Sequence, residues 1–443
     1  MKIQLSDHFT YGKLFRFTLP SIAMMVFTSI YGVVDGFFVS NFAGKTSFAS
    51  INLVMPFVMI LGGVGFMVGT GGTALVSKIL GQRDREQANR VFSMMVWLTL
   101  LLGAVLGVLG VVFMEPVAKF LGAEADMMHD CVLYGRIVIA FTASFMLQNV
   151  FQSFLIAAEK PKLGLATTVA AGVTNMVLDA VFVGVLHWGV AGAAVATGLS
   201  QCVGGIVPLI YFLRPNDSLL RLGPAKFAWK PIFQAVTNGA SELMSNISGS
   251  LVAMLYNFQL MRLYGQDGVS AYGVLMYVQF IFVAIYVGYS IGCAPVVGFH
   301  YGAQNRDELK NMLKKSSILM SLAGIVLTGC AYFLSSPLAK IFVGYDENLF
   351  ALTHHAFQVY ALTFLLAGMN IFASSFFTAL NNGGVSAAIS FLRTLVFQCA
   401  CVLILPEILG PDGIWWSNFV AEIGAFIISM AFLLGKRKKY GYM

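Results

Sequence analysis

The chain has 443 residues, of which 58% are hydrophobic and only 11% charged, whereas a soluble domain carries about a quarter charged residues to wet its surface. That excludes secreted, nuclear and cytosolic enzymes of ordinary composition and leaves an integral membrane protein. The formal net charge of +7 arises from 27 Lys and Arg scattered through short loops, not from the continuous patch that nucleic acid requires, so no nucleic-acid partner is expected.

A bilayer core of about 30 Å needs about 20 apolar residues as helix, because lipid cannot satisfy exposed backbone groups. Twelve such runs are predicted, at 14–42, 50–79, 92–114, 131–158, 163–187, 190–213, 233–263, 270–298, 314–335, 351–380, 386–406 and 413–435. The first is expected to be the insertion signal itself, with no cleaved leader. Of the 27 Lys and Arg, 21 fall on the side shared by both termini, five on the opposite side, and Arg393 within a span. Cytoplasmic loops carry the basic excess, so a multi-pass plasma-membrane protein with both termini in the cytoplasm is expected. The six cysteines show no metal-ligand or CxxC spacing and read as reduced packing residues.

The longest polar connector, LRPNDSLLRLGPAKFAWKP, follows the sixth span and divides the chain into an N-terminal lobe (1–213), a linker (214–232) and a C-terminal lobe (233–443). The halves resemble each other. The loop LGQRDREQANR after span two matches YGAQNRDELKN after span eight, setting Gly81 against Gly302 at an offset of 221 (302 minus 81). The same offset relates Gly44 to Gly265, Ala158 to Ala379 and Gly192 to Gly413. Copies with an even number of spans insert the same way up, so an axis along the membrane normal and a central cleft are expected.

Charge inside hydrocarbon is costly and marks function, and only Asp35, Asp179, Glu242, Glu422 and Arg393 qualify. Asp35 and Asp179 fall at matched depth, about 10 to 12 Å below the outer surface at about 1.5 Å per residue. Thr197 shares that level, and Asn175 lies one turn from Asp179 on the same helix face. Carboxylates withdrawn from water, with an amide and a hydroxyl beside them, suit a proton or a sodium ion. The alternative is that they merely bond helix backbones in a polar seam. Glu242, in NGASELMSN, reads as a cavity-wall carboxylate that meets substrate or proton; the alternative is an interhelical hydrogen bond. Glu422 is expected to be satisfied by Asn418 and Trp416 of its own span, and Arg393 to snorkel toward the cytoplasm. Tyr31 and Asn370 complete the candidate cavity residues, and aromatic and Met side chains suit flat cations. Pro20 is a hinge or a static kink fifteen residues before Asp35. Small-residue pairs such as Gly65 with Gly69 and Gly103 with Gly107 are expected to let spans pack closely. There is no phosphate loop, so transport must run on an ion gradient.

The two six-helix halves, the paired loop motifs and PSIAMMVFTSIYGVVDGFFV in span one resemble the multidrug and toxic compound extrusion family along the whole chain. The resemblance implies an all-α, twelve-helix, V-shaped antiporter that exports organic cations and drugs against protons or sodium by alternating access. It implies an N-lobe cation site at Asp35, Asn175, Asp179 and Thr197, and a bending role for Pro20. Span ten departs from the sodium-coupled branch, offering only Asn370 and serines where that branch has an aspartate. The N-lobe is therefore expected to couple the ion, with Glu242 meeting the substrate. The expectation is a monomeric transporter of small amphipathic cations in the lipid bilayer, not an enzyme, with no cofactor and no metal besides H+ or Na+ as coupling ion. The rival readings are a flippase for a lipid-linked precursor of the same superfamily and an intramembrane protease using Asp35 and Asp179.

Overall fold

A computed structural model describes residues 3–43 and 45–443; Gly44, one of the repeat anchors, lies outside the described residues. Sixteen α-helices follow in chain order among the described residues: α1 (Tyr11–Phe38), α2 (Lys45–Gly81), α3 (Arg85–Val112), α4 (Met114–Phe120), α5 (Ala125–Ala140), α6 (Thr142–Ala157), α7 (Pro161–Asp179), α8 (Gly189–Leu213), α9 (Trp229–Gly302), α10 (Arg306–Phe333), α11 (Ser335–Val343), α12 (Glu347–Ala361), α13 (Thr363–Ala379), α14 (Gly383–Phe391), α15 (Phe397–Leu409) and α16 (Gly413–Tyr440). Three π-helical turns interrupt the pattern, Val39–Ala43, Ala180–Val185 and Leu392–Val396.

These elements resolve into twelve membrane crossings. Nine helices among the described residues are long and apolar enough to cross, and two bent pairs, α5 with α6 (55°) and α12 with α13 (44°), each supply one more. The twelfth comes from α9. Its 74 residues would reach about 110 Å at 1.5 Å per residue, far beyond any bilayer. The chain turns back inside it at Gly265, whose φ of 64° and ψ of −147° belong to a region open only to glycine. Spans seven and eight therefore meet at one residue, where a polar gap at 264–269 was expected.

The paired loops fold alike. Arg83 and Gln304, offset by 221, both adopt left-handed φ (66° and 56°). The next residues cap the following helices: Asp84 accepts from Gln87 N (3.0 Å) and Asn305 from Glu308 N (3.1 Å). An Asx side chain at an N-cap satisfies amides that the first turn leaves open, so the repeated motif is a helix-start device used twice.

Lipid-facing and packed surfaces separate cleanly on α3. Leu101, Val105, Val108 and Val112 are exposed while Gly103, Gly107 and Gly110 are buried. A Cβ on Gly103 would stand 2.5 Å from Ala143 Cα, and one on Gly65 2.7 Å from Met146 Cα, which is why small residues stand there. In the first half Phe92 packs edge-on against Phe154 and Phe212 at 4.9 Å, and in the second Tyr256 stacks on Tyr272 at 4.9 Å.

The halves meet most tightly where α2 crosses α9. A Cβ on Gly81 would lie 2.0 Å from the Phe299 carbonyl oxygen, and one on Gly302 1.9 Å from that of Lys78. Both pairs obey the 221 offset, so the pseudo-twofold axis passes through this crossing. Gly71 and Gly239 repeat the contact further in, each 1.9 Å from an opposing carbonyl. The N-terminal segment adds a strap on the same face. Leu5 N donates to Glu159 Oε1 (2.8 Å) of the first half, and Phe9 N to Glu308 Oε1 (2.9 Å) of the second. The face that carries both termini is closed.

Candidate functional site

Asp35 lies in the last turn of α1 and Asp179 ends α7, and each is followed by a π-helical turn, at Val39–Ala43 and Ala180–Val185. Such turns re-aim side chains and recur at functional sites. Gly172 lets α1 and α7 approach, since a Cβ there would stand 2.4 Å from Phe27 and 2.8 Å from Tyr31. The outcome is convergence: Asp35 comes within hydrogen-bonding reach of Asp179 and of Asn175. Asp179 is fully buried and Asn175 nearly so. Neither oxygen of Asp179 has a hydrogen-bond donor among the described residues, and Asp35 Oδ1, Asn175 Oδ1 and Thr197 Oγ also lack partners. Two neighbouring buried carboxylates repel unless a proton or a cation lies between them. The oxygen set of carboxylates, amide and hydroxyl also suits Na+, a hard ion.

Two residues that sequence reasoning missed or misplaced belong to this group. Tyr134 of α5, 1% exposed, sits beside Asp35, Asp179 and Thr197, its hydroxyl directed to Met55 Sδ at 3.7 Å. No local signal singles out one Tyr among 16. Tyr31, expected at the substrate cavity with Glu242, instead stands near Asp35 and reaches Gln148 of α6. Pro20 is buried within α1, which remains helical from Tyr11 to Phe38.

A second polar centre occupies the C-terminal half. Glu422 of α16 is gripped side-on by Arg393, with Nε at 2.9 and 3.0 Å from its two oxygens and Nη2 at 2.8 Å from Oε1. Asn370 Nδ2 donates to the same carboxylate (2.6 Å) and to the Glu422 carbonyl (3.0 Å). This corrects two expectations. Arg393 does not snorkel, because a buried carboxylate lies within its reach and a charge-assisted fork outweighs a stretch to the interface. Glu422 is not satisfied by its own span, since Asn418 accepts from Gln398 and Trp416 Nε1 donates to Asp412 instead. Arg393 sits in the third π-helical turn, Leu392–Val396.

Beside this pair a cavity of about 170 Å³ lies between the halves. Thr70, Thr73 and Ser153 line it from the first half, and Glu242, Ser290, Asn370, Ser374 and Arg393 from the second. Glu242 and Asn370 thus fall on a cavity wall, while Asp35, Asn175, Asp179 and Thr197 form a separate group. Among the described residues no cluster of three His, Cys, Asp or Glu side chains forms a metal site.

The MatE family profile matches residues 20–181 and 243–402, most of both halves. The chain belongs to the MatE family. Relatives include the multidrug export protein MepA of Staphylococcus haemolyticus, 23% identical over 99% of this chain and 97% of that protein. MepA of Staphylococcus aureus strain MRSA252 is 22% identical over 92% and 90%. Among solved structures, an outward-facing multidrug resistance MATE transporter of the MOP superfamily superposes with a TM-score of 0.92 at 20% identity, covering 98% of each chain. A MOP-superfamily transporter from Pyrococcus furiosus, described as having a binding pocket of reversed polarity, gives 0.89 at 21% identity, covering 97% of each. The MatE fold of twelve helices in two bundles is therefore the fold of this chain, a multi-pass membrane transporter.

Proposed function

We propose that this MatE protein is a secondary antiporter that exports small organic cations in exchange for H+ or Na+ by alternating access, as a monomer in the plasma membrane with both termini in the cytoplasm. The observation that carries the reading is the placing of Asp35 beside Asp179 and Asn175, with both oxygens of Asp179 lacking a donor among the described residues. Such a pair binds one proton or one sodium ion strongly, and exchange follows if that ion and the substrate stabilise different states. The multidrug-export names of the MepA relatives and the 21-to-5 distribution of basic residues support the substrate class and the orientation.

Proteoliposomes given a pH gradient or a Na+ gradient separately, and loaded with ethidium, test this. Gradient-driven ethidium movement under one ion, abolished in Asp35→Asn and Asp179→Asn, is expected. Movement that ignores both gradients, or survives both substitutions, would refute the assignment.

A further inference from the structure

The cavity between the halves carries chemistry that a simple cation site does not need. Its charged lining residues are one acid, Glu242, and one base, Arg393. Thr73, Ser153, Ser290 and Asn370 also line it, and each holds a buried side-chain oxygen without a hydrogen-bond partner among the described residues. Orphaned polar atoms are rare in folded proteins, and four in the walls of one cavity, drawn from both halves, make its surroundings polar. Greasy capture of flat cations would call for aromatic walls instead.

The geometry of Arg393 is selective. Glu422, 3% exposed, takes the Nε and Nη2 edge of the guanidinium. That edge-on grip fixes the plane of the fork and leaves Nη1 as the nitrogen Glu422 does not engage. The Arg393 side chain retains 18% exposure, at the cavity. A guanidinium held this way is a preorganised carboxylate receptor, and Asn370, by donating to Glu422, keeps the inner carboxylate in place. Glu242 supplies the opposite charge.

We infer that this cavity binds a zwitterion, an amine against Glu242 and a carboxylate against Arg393. This rests on the transporter reading above and sharpens its substrate class from cations to amino-carboxylates. A volume of about 170 Å³ leaves room for a small molecule of one ring with two charged ends.

The test uses 4-(aminomethyl)benzoate and its methyl ester, which differ only in the anionic end, titrated calorimetrically into purified full-length protein. Wild type is expected to bind the acid about tenfold or more tightly than the ester. R393Q/E422Q, which removes the buried pair together and strands neither charge, should erase the preference by weakening the acid alone. E242Q should weaken both compounds. Equal binding of acid and ester by wild type, no binding of the acid, or a preference that survives R393Q/E422Q would each overturn the inference. Ethidium transport by the same preparation separates the two readings. Gradient-driven export without acid preference sinks only the zwitterion site, whereas acid preference without gradient-driven export sinks the antiporter.

Discussion

Gly302→Ala is the sharpest perturbation of the closed face. The added Cβ would stand 1.9 Å from the Lys78 carbonyl oxygen, and real Cβ contacts do not fall under 3.0 Å. The helices α2 and α9 must therefore part locally by about 1.1 Å, the difference between those values. The opposing atom is backbone on a helix, so no rotamer can absorb the clash. Overpacking of this kind costs about 1 to 3 kcal/mol, and the cost falls only on the state in which α2 and α9 touch. An alternating-access protein should respond by populating the state opened on this face about 5 to 150 times more. The readout is labelling of Ser77→Cys by a membrane-impermeant maleimide in a background free of other cysteines. Ser77 is buried at the same crossing, with its Cβ 3.1 Å from a Cβ built on Gly298. Gly249→Ala is the control, since it lies on α9 with nothing within 4 Å and gains the same helix propensity. Labelling should accelerate in Gly302→Ala and not in Gly249→Ala. Equal rates in the two would refute the view that this glycine crossing is what holds the face shut.

Other consequences are equally direct. Arg393→Met leaves Glu422 charged and buried with Asn370 alone and should cost about 3 to 5 kcal/mol in detergent thermal unfolding, whereas Arg393→Met/Glu422→Met should recover most of it; additive losses would show that the pair is not coupled. Glu308→Ala removes the acceptor for Phe9 N and for Asn311 Nδ2 and should cost about 1 to 3 kcal/mol. It should also expose the N-terminal strap to limited proteolysis, and unchanged protection would show that the strap is held elsewhere. Tyr134→Phe should keep the fold and alter the ion dependence of transport, since only a hydroxyl beside the two aspartates is lost; an unaltered ion dependence would remove Tyr134 from the site.

The parts legible in the sequence are those that one helix encodes by itself. Asp35 and Asp179 stood out because a carboxylate in a long apolar run has no local excuse, and Asn175 followed from a one-turn spacing. The 221-residue repeat announced the pseudo-twofold axis, and the Gly81 and Gly302 pair that disclosed it turned out to sit on it. What stayed hidden depends on partners from several helices. Glu422, Arg393 and Asn370 come from α16, a π-helical turn and α13. The two opposite charges were visible within one lobe, and pairing them would have been the available signal. Tyr134 gave none, because its place beside the aspartates comes from the neighbours that α1, α7 and α8 bring to it. The π-helical turns were equally silent, since neither the apolar AVFVGV nor the mixed VSNFA and LRTLV contains a residue that an α-helix would refuse.

The central claim is that ion and substrate compete through Asp35 and Asp179. Purified protein in weakly buffered solution with a pH dye, or loaded with radioactive sodium, should release about one H+ or one Na+ per ethidium bound, as exclusive occupancy requires. Asp35→Asn should bind ethidium without that release. Stoichiometric ethidium binding by the unaltered protein with neither ion released would contradict the account.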